Sequence, residues 1–223
     1  SGGVDRVCDA VVRFRQESHA IVEFAIGCLR NLAAHGALVQ ESLPDPKQGT
    51  KQVVLHISLG MSAQLESSVI QREAFEALQH MCSWAHGPVH AMVSCGLEER
   101  IPAAMELHRK VAIVQERGCL LLKALVQCGG RAGHQLMMGA QGTRQIEDAM
   151  NANKDSPPVL ARAADALQAI YDSRLTPEIA VAGAELWVIY AMKRHPESVD
   201  VQESCLRMLH RAADKRGGCD KIS

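Results

Sequence analysis

Cys82, His86 and His90 stand four residues apart, and Cys95 follows. On an unbroken helix the first three share a face, and a thiolate with two imidazoles suits zinc. Gly87-Pro88 interrupts that helix, because proline removes a backbone donor and clashes with the preceding turn. Zinc is therefore not expected. The eight cysteines are Cys8, Cys28, Cys82, Cys95, Cys119, Cys128, Cys205 and Cys219, with no C-x-x-C pair among them. A catalytic thiol needs a nearby base, and no spacing supplies one. Cys28, Cys119 and Cys205 fall on helical patterns, where a buried thiol packs as a small apolar residue. Gly129-Gly130-Arg131-Ala132-Gly133 lacks the Lys-Ser/Thr of a phosphate loop and reads as a turn leaving a helix. The sequence thus predicts no catalytic residue, no metal site and no cofactor.

The composition says what must position side chains instead. The chain has 223 residues, 24 Lys plus Arg against 25 Asp plus Glu, and a formal charge of −1. A nucleic-acid or anionic-membrane binder leaves a basic excess, and none is present. Hydrophobic residues make up 47% and aromatics only 3%, which favours helices over sheets. Residues 77 to 97 are uncharged, but Gln79, three histidines and Gly87-Pro88 argue against a spanning helix. Scattered, unpaired cysteines imply a reducing, intracellular and cytoplasmic setting. The chain begins at Ser1 and not at Met, which leaves room for a preceding signal or lipidation segment.

An internal repeat organises the chain. Ile21–Ala33, Ile70–Cys82, Val114–Val126, Val159–Tyr171 and Val201–Ala213 align without gaps. Each opens on a β-branched residue. Four residues on comes a small one: Ala25, Ala74, Gly118, Ala163 or Cys205. Four further on comes Leu29, Leu78, Leu122, Leu167 or Leu209, and three beyond that Leu32, Met81, Leu125, Ile170 or Ala212. Offsets of four, four and three trace one stripe of an α-helix. Gly3, Gly96, Gly142 and Gly183 precede four of these segments by 17 or 18 residues and read as turns between a short and a longer helix. Short helices are expected near Ala37–Glu41, Val89–Ser94, His134–Gly139 and Pro177–Ala182. Second helices are expected near Val4–Arg15, Lys51–Ala63, Glu98–His108, Thr143–Asn151 and Ala184–Lys193. Pro44 to Gly49 reads as a loop. Repeats of 1–35, 36–84, 85–128, 129–172 and 173–216 follow, with 217–223 as a tail; Lys215-Arg216-Gly217-Gly218 looks like an end.

A three-helix unit of about 42 residues, with a Gly turn and a Leu-rich third helix, resembles the armadillo repeat and the related HEAT unit. Ala25 to Ala33 reads A-I-G-C-L-R-N-L-A and is similar to the armadillo third-helix signature, as are V-Q-E-R-G-C-L-L-L-K-A-L from Val114 and V-Q-E-S-C-L from Val201. The resemblance covers nearly the whole chain. It implies an all-α, right-handed α-solenoid of about five repeats whose third helices line a concave groove. It also implies a non-enzymatic adaptor, binding an extended segment of another protein. A regulator gripping a folded partner, such as a small GTPase, motor or cytoskeletal protein, is the alternative.

Helical geometry selects the groove positions as those pointing away from the stripe. They are Phe24, Gly27, Asn31; Glu73, Glu76, His80; Arg117, Leu120, Ala124; Arg162, Asp165, Ala169; and Ser204, Arg207, Arg211. Nuclear-import armadillo proteins carry a Trp and Asn ladder there. Gly27, Glu76, Leu120, Asp165 and Arg207 replace the Trp column, so a basic import signal is not the expected ligand. The expected binding residues are Asn31, Glu73, Glu76, His80, Arg117, Leu120, Arg162, Arg207 and Arg211. They form a groove acidic in the second repeat, apolar in the third and basic in the fifth. Trp84 and Trp187 read as anchors in the core or between repeats, and Met137-Met138 as packing between helices.

Overall fold

The computed structural model describes residues 2–36, 45–84, 88–173 and 184–219, with side chains as far as residue 214. Among the described residues are twelve helices and no strand. They are α1 (Gly3–Phe14), α2 (His19–Ala34), α3 (Pro46–Ala63), α4 (Ser68–Met81), α5 (Pro88–Ser94), α6 (Leu97–Leu107), α7 (Ala112–Cys128), α8 (Gly130–Gly139), α9 (Gly142–Ala152), α10 (Pro157–Asp172), α11 (Ala184–Arg194) and α12 (Val199–Cys219). The chain is all-α.

The five patterned segments are α2, α4, α7, α10 and α12, and each packs on the next in that order. The second helices α1, α3, α6, α9 and α11 form a row of their own behind them, and the short helices α5 and α8 touch each other. The apolar stripe is the seam between rows. Leu78, Leu122 and Leu167 are fully buried, as are Ile70, Val114, Val159 and Val201. Ile21 and Leu209, on the first and last patterned helices, are only half buried, although Leu29 and Val201 of the same helices are fully buried. The small column sets how closely the rows approach. A Cβ on Gly118 would lie 2.8 Å from Met105 Sδ, so α6 and α7 meet at a distance that only glycine allows without a shift. Trp84 joins the first two repeats, donating from Nε1 to Ala33 O at 3.0 Å.

Helix boundaries depart from the sequence expectation at informative places. Pro44 to Gly49 is not a loop throughout. Asp45 accepts from Lys47 N and Gln48 N at 3.0 and 3.1 Å, and Pro46 opens α3 five residues before Lys51. An Asp cap followed by Pro at the first helical position is a start signal, because the orphan donors find a carboxylate and Pro has no N–H to lose. The α8 helix begins at Gly130, four residues ahead of His134, so the glycine run opens a helix as well as closing α7. Gly96 is a left-handed turn residue at φ +70°, as expected. In the next repeat that role belongs to Gln141 at φ 51°, while Gly142 already lies in α9. The α12 helix continues through the 216/217 boundary to Cys219. The short helices expected near Ala37–Glu41 and Pro177–Ala182, with the turn at Gly183, lie outside the described residues.

Candidate functional site

Two polar systems connect the repeats. The first consists of hydrogen bonds to main-chain carbonyls and runs along the corners. Gln64 Nε2 donates to Arg15 O at 2.9 Å, and Asn153 Nδ2 to Arg109 O at 2.8 Å. His108 Nε2 lies 2.8 Å from Leu65 O, and His195 Nε2 2.8 Å from Lys154 O; facing carbonyls, both nitrogens act as donors. All four residues stand six positions before the opening residue of their patterned segment. Each reaches the corresponding corner of the preceding repeat. A second set closes the second, third and fifth repeats internally. Gln71, Gln115 and Gln202 donate from Nε2 to Met61 O and Gln64 O, Met105 O and His108 O, and Met192 O and His195 O, all at 2.8–3.0 Å. These carbonyls end a helix, where no intrahelical donor remains.

The second system is charged and lies on the face of the patterned row. Arg30 Nε is 2.6 Å from Glu73 Oε2, a close charge pair not aligned as a hydrogen bond. Arg72 also pairs with Glu73. Glu76 is approached by Arg30 at 3.8 Å, Arg117 at 3.7 Å and His80 at 3.9 Å. Two repeats further on, Asp165 holds Lys123 Nζ at 3.3 Å and Arg162 at 3.4 Å through Oδ2, and Arg207 at 3.2 Å through Oδ1. Arg207 also meets Glu203 at 3.4 Å, and Arg211 meets Asp172 at 3.1 Å.

The expected binding residues therefore do share one run of helices, but not all are open to a partner. Glu73 and Asp165 are buried, as are Ala169 and Ser204, because adjacent patterned helices close over that part of the face. Asn31, Arg207 and Arg211 are exposed, and Glu76, His80, Arg117, Leu120, Ala124 and Arg162 are half buried. The acidic end expected in the second repeat is neutralised in place by Arg30, Arg72 and Arg117. Arg30, Arg72 and Lys123 were not singled out by the face rule. Their signal is positional, since Arg30 and Lys123 both stand nine residues after their segment's first residue. Phe24, Gly27, Cys28, Asn31, Arg72 and Glu73 line a shallow depression of about 250 Å³ at the first two repeats. A cleft of about 370 Å³ between α6 and α9 carries Glu106, Arg109, Arg144 and Asp148, two charges of each sign.

Burial pushes the thiols of Cys8, Cys82, Cys119 and Cys205 up to about 12, with Asp165 a second cause at Cys205. Cys28 is exposed, contrary to expectation, because it shares the open face of α2 with Phe24 and Asn31, at helical spacing from both. Cys82 is buried and His90 exposed, and no group of three metal-ligating side chains gathers among the described residues; His86 lies outside them. Met137 packs inside while Met138 is exposed. Trp187 is half buried and stands edge-on to Tyr190 at 6.3 Å, with Lys154 Nζ 5.9 Å from its ring centre. No helix among the described residues is long and apolar enough to cross a membrane.

Neither a protein-family model nor a curated protein matches this sequence. Among solved structures, the chain is similar to an engineered protein crystallised by the Northeast Structural Genomics Consortium. The two are 16% identical, with a TM-score of 0.59 over 95% of this chain and 98% of that one. The likeness is one of helical fold.

Proposed function

We propose that the chain is a right-handed α-solenoid of five armadillo-type repeats, and that it works as a non-enzymatic adaptor. Its patterned helices form a groove that binds an extended segment of a partner protein. The observation that supports this reading most is the face of the patterned row. There, charged side chains on all five patterned helices gather in two clusters, one from Arg30 to Arg117 and one from Lys123 to Arg211, with Leu120 between them along α7. A segment laid across the helices would meet one unit after another, as repeat arrays allow. Thiols pushed up to about 12 carry almost no thiolate at neutral pH, which supports a non-enzymatic role for the buried cysteines. The free cysteines among the described residues support a reducing, cytoplasmic setting.

A second reading has a folded partner gripped through the end of the array. Leu186 and Val199 favour it, both about three-quarters exposed, with Ile189 and Tyr190 open on α11. Photo-crosslinkers placed at Asn31 and Leu120, and separately at Leu186, distinguish the two with a verified partner. Crosslinks from Asn31 and Leu120 support the groove. Crosslinks from Leu186 alone overturn it in favour of the end surface.

A further inference from the structure

We propose that the segment received on this face is acidic, rich in Asp and Glu, and that it seats over Asp165 across α7, α10 and α12. This rests on the groove reading and specifies its ligand. The argument is one of layering. The Asp165 side chain is 6% exposed, whereas Lys123, Arg162 and Arg207 above it are 29%, 36% and 49% exposed. The carboxylate is a floor, and ammonium and guanidinium groups are what a partner touches. Asp165 engages one nitrogen of each cation. A guanidinium has five N–H donors and an ammonium three, so one buried carboxylate does not exhaust them. Glu203, 3.4 Å from Arg207, adds a second carboxylate at the rim, so three cations face two acids here.

The line continues outward. Arg207, Arg211, Gln168 and His210 surround a shallow hollow of about 290 Å³, with Arg211 held from outside by Asp172 and Asp214. Arg207 and Arg211 are four apart on α12, so both forks reach the same stretch of a bound chain. Forked donors suit carboxylates, which accept two parallel N–H bonds. At the Glu73 and Glu76 cluster the arginines are less open: Arg30, Arg72 and Arg117 are 31%, 36% and 29% exposed, whereas Arg207 and its neighbour Arg211 are 49% and 52% exposed. A nucleic acid fits the face less well. The whole chain carries a formal charge of −1, and its 3% aromatics provide few surfaces on which bases could stack.

Three adjacent helices span about 20–30 Å, which an extended peptide of about ten residues covers. The test uses a fluorescein-labelled peptide of alternating Glu and Gly of that length, its Lys counterpart, and a dT oligonucleotide of similar reach. Binding to the full chain is read by anisotropy and mapped by amide shifts. The Glu peptide should bind, weaken as NaCl rises from about 50 to about 300 mM, and shift amides on α7, α10 and α12. Lys123→Gln with Arg162→Gln should weaken it about tenfold, and Arg144→Gln on α9 should not change it. Should the double variant lose its fold by circular dichroism, Arg211→Gln at the rim replaces it, with an expected loss of about threefold. Tighter binding of the Lys peptide or the oligonucleotide overturns the acidic assignment, as does a Glu-peptide affinity indifferent to these variants or too weak to detect. If the Lys peptide shifts α7, α10 and α12, the groove reading survives that failure. If every shift falls on α6, α9 and α11, the groove reading fails too.

Discussion

The clusters at Glu73/Glu76 and at Asp165 are assembled in the same way and differ in how far their charges are exposed. Each draws one cation from the preceding patterned helix, one from its own and one from the next. These are Arg30, Arg72 and Arg117 in the first, and Lys123, Arg162 and Arg207 in the second. Arg30 and Lys123 occupy the same position in their segments, and so do Glu76 and Asp165. The difference is where the second carboxylate lies: Glu73 is buried among the arginines of the first cluster, whereas Glu203 stands exposed at the rim of the second. One repeated arrangement thus encloses both its acids at one site and leaves its outer charges open at the other.

The variant expected to act most strongly lies beneath both clusters. The α7 helix supplies Arg117 to the first and Lys123 to the second, and Leu122 seats it in the core. Leu122→Ala should cost about 2–5 kcal/mol through lost burial and an unfilled cavity, read by urea unfolding. An unchanged midpoint would show that the two clusters do not share that foundation. Next in size is the removal of each floor. Asp165→Ala takes the carboxylate from Lys123 and Arg162 and leaves Arg207 with Glu203, and should cost about 2–3 kcal/mol. Glu73→Ala, with Glu76 still present, should cost about 1–2 kcal/mol. Equal losses would erase the distinction drawn between the clusters. Gln115→Leu gives a neutral reference, because it strands the carbonyl of Met105, while that of His108 keeps Val111 N–H, and it touches no charge. It should cost about 1–2 kcal/mol and show little response to salt.

Much of this was legible in the sequence and part was not, for physical reasons. The stripe through Leu78, Leu122 and Leu167 was readable because core packing demands apolar residues at helical spacing. The burial of Glu73 and Asp165 was not. Their positions face away from their own stripe, and only the neighbouring helices decide that arginines will cover them. The corner column escaped notice because Gln64, His108, Asn153 and His195 share a hydrogen-bonding role and not a residue type. The early start of α3 was available in Asp45-Pro46, but a cluster of prolines also signals a loop.

The smallest perturbation is chemical and compares one thiol beside each cluster. Cys28 is exposed at the edge of the first, while Cys205 is buried near Asp165. At pH 8 a thiol with a pKa of about 12 is ionised to only about one part in ten thousand. Cys28 should therefore react with a disulfide reagent within seconds and Cys205 only on unfolding. Comparable rates would show that the second cluster opens readily. The four thiols near 12 also fix a sign for alkaline stability. Unfolded cysteines ionise near 9 and the buried ones do not, so stability should be full below about pH 9 and decline as pH rises toward 12. Urea midpoints across that range measure the decline.

The corner column carries a consequence for how such a chain can grow. Each donor belongs to the later repeat, and each acceptor is a main-chain carbonyl of the earlier one. Every residue type supplies that carbonyl, so the earlier repeat needs no matching side chain. Glutamine, histidine and asparagine all make the junction, which shows how little it asks of the donor beyond one polar hydrogen. A repeat copied and inserted into the array would bring its own latch and find a catch already waiting. Array length can then change by whole units without paired substitutions, while the partner-facing side chains diverge independently of the joint.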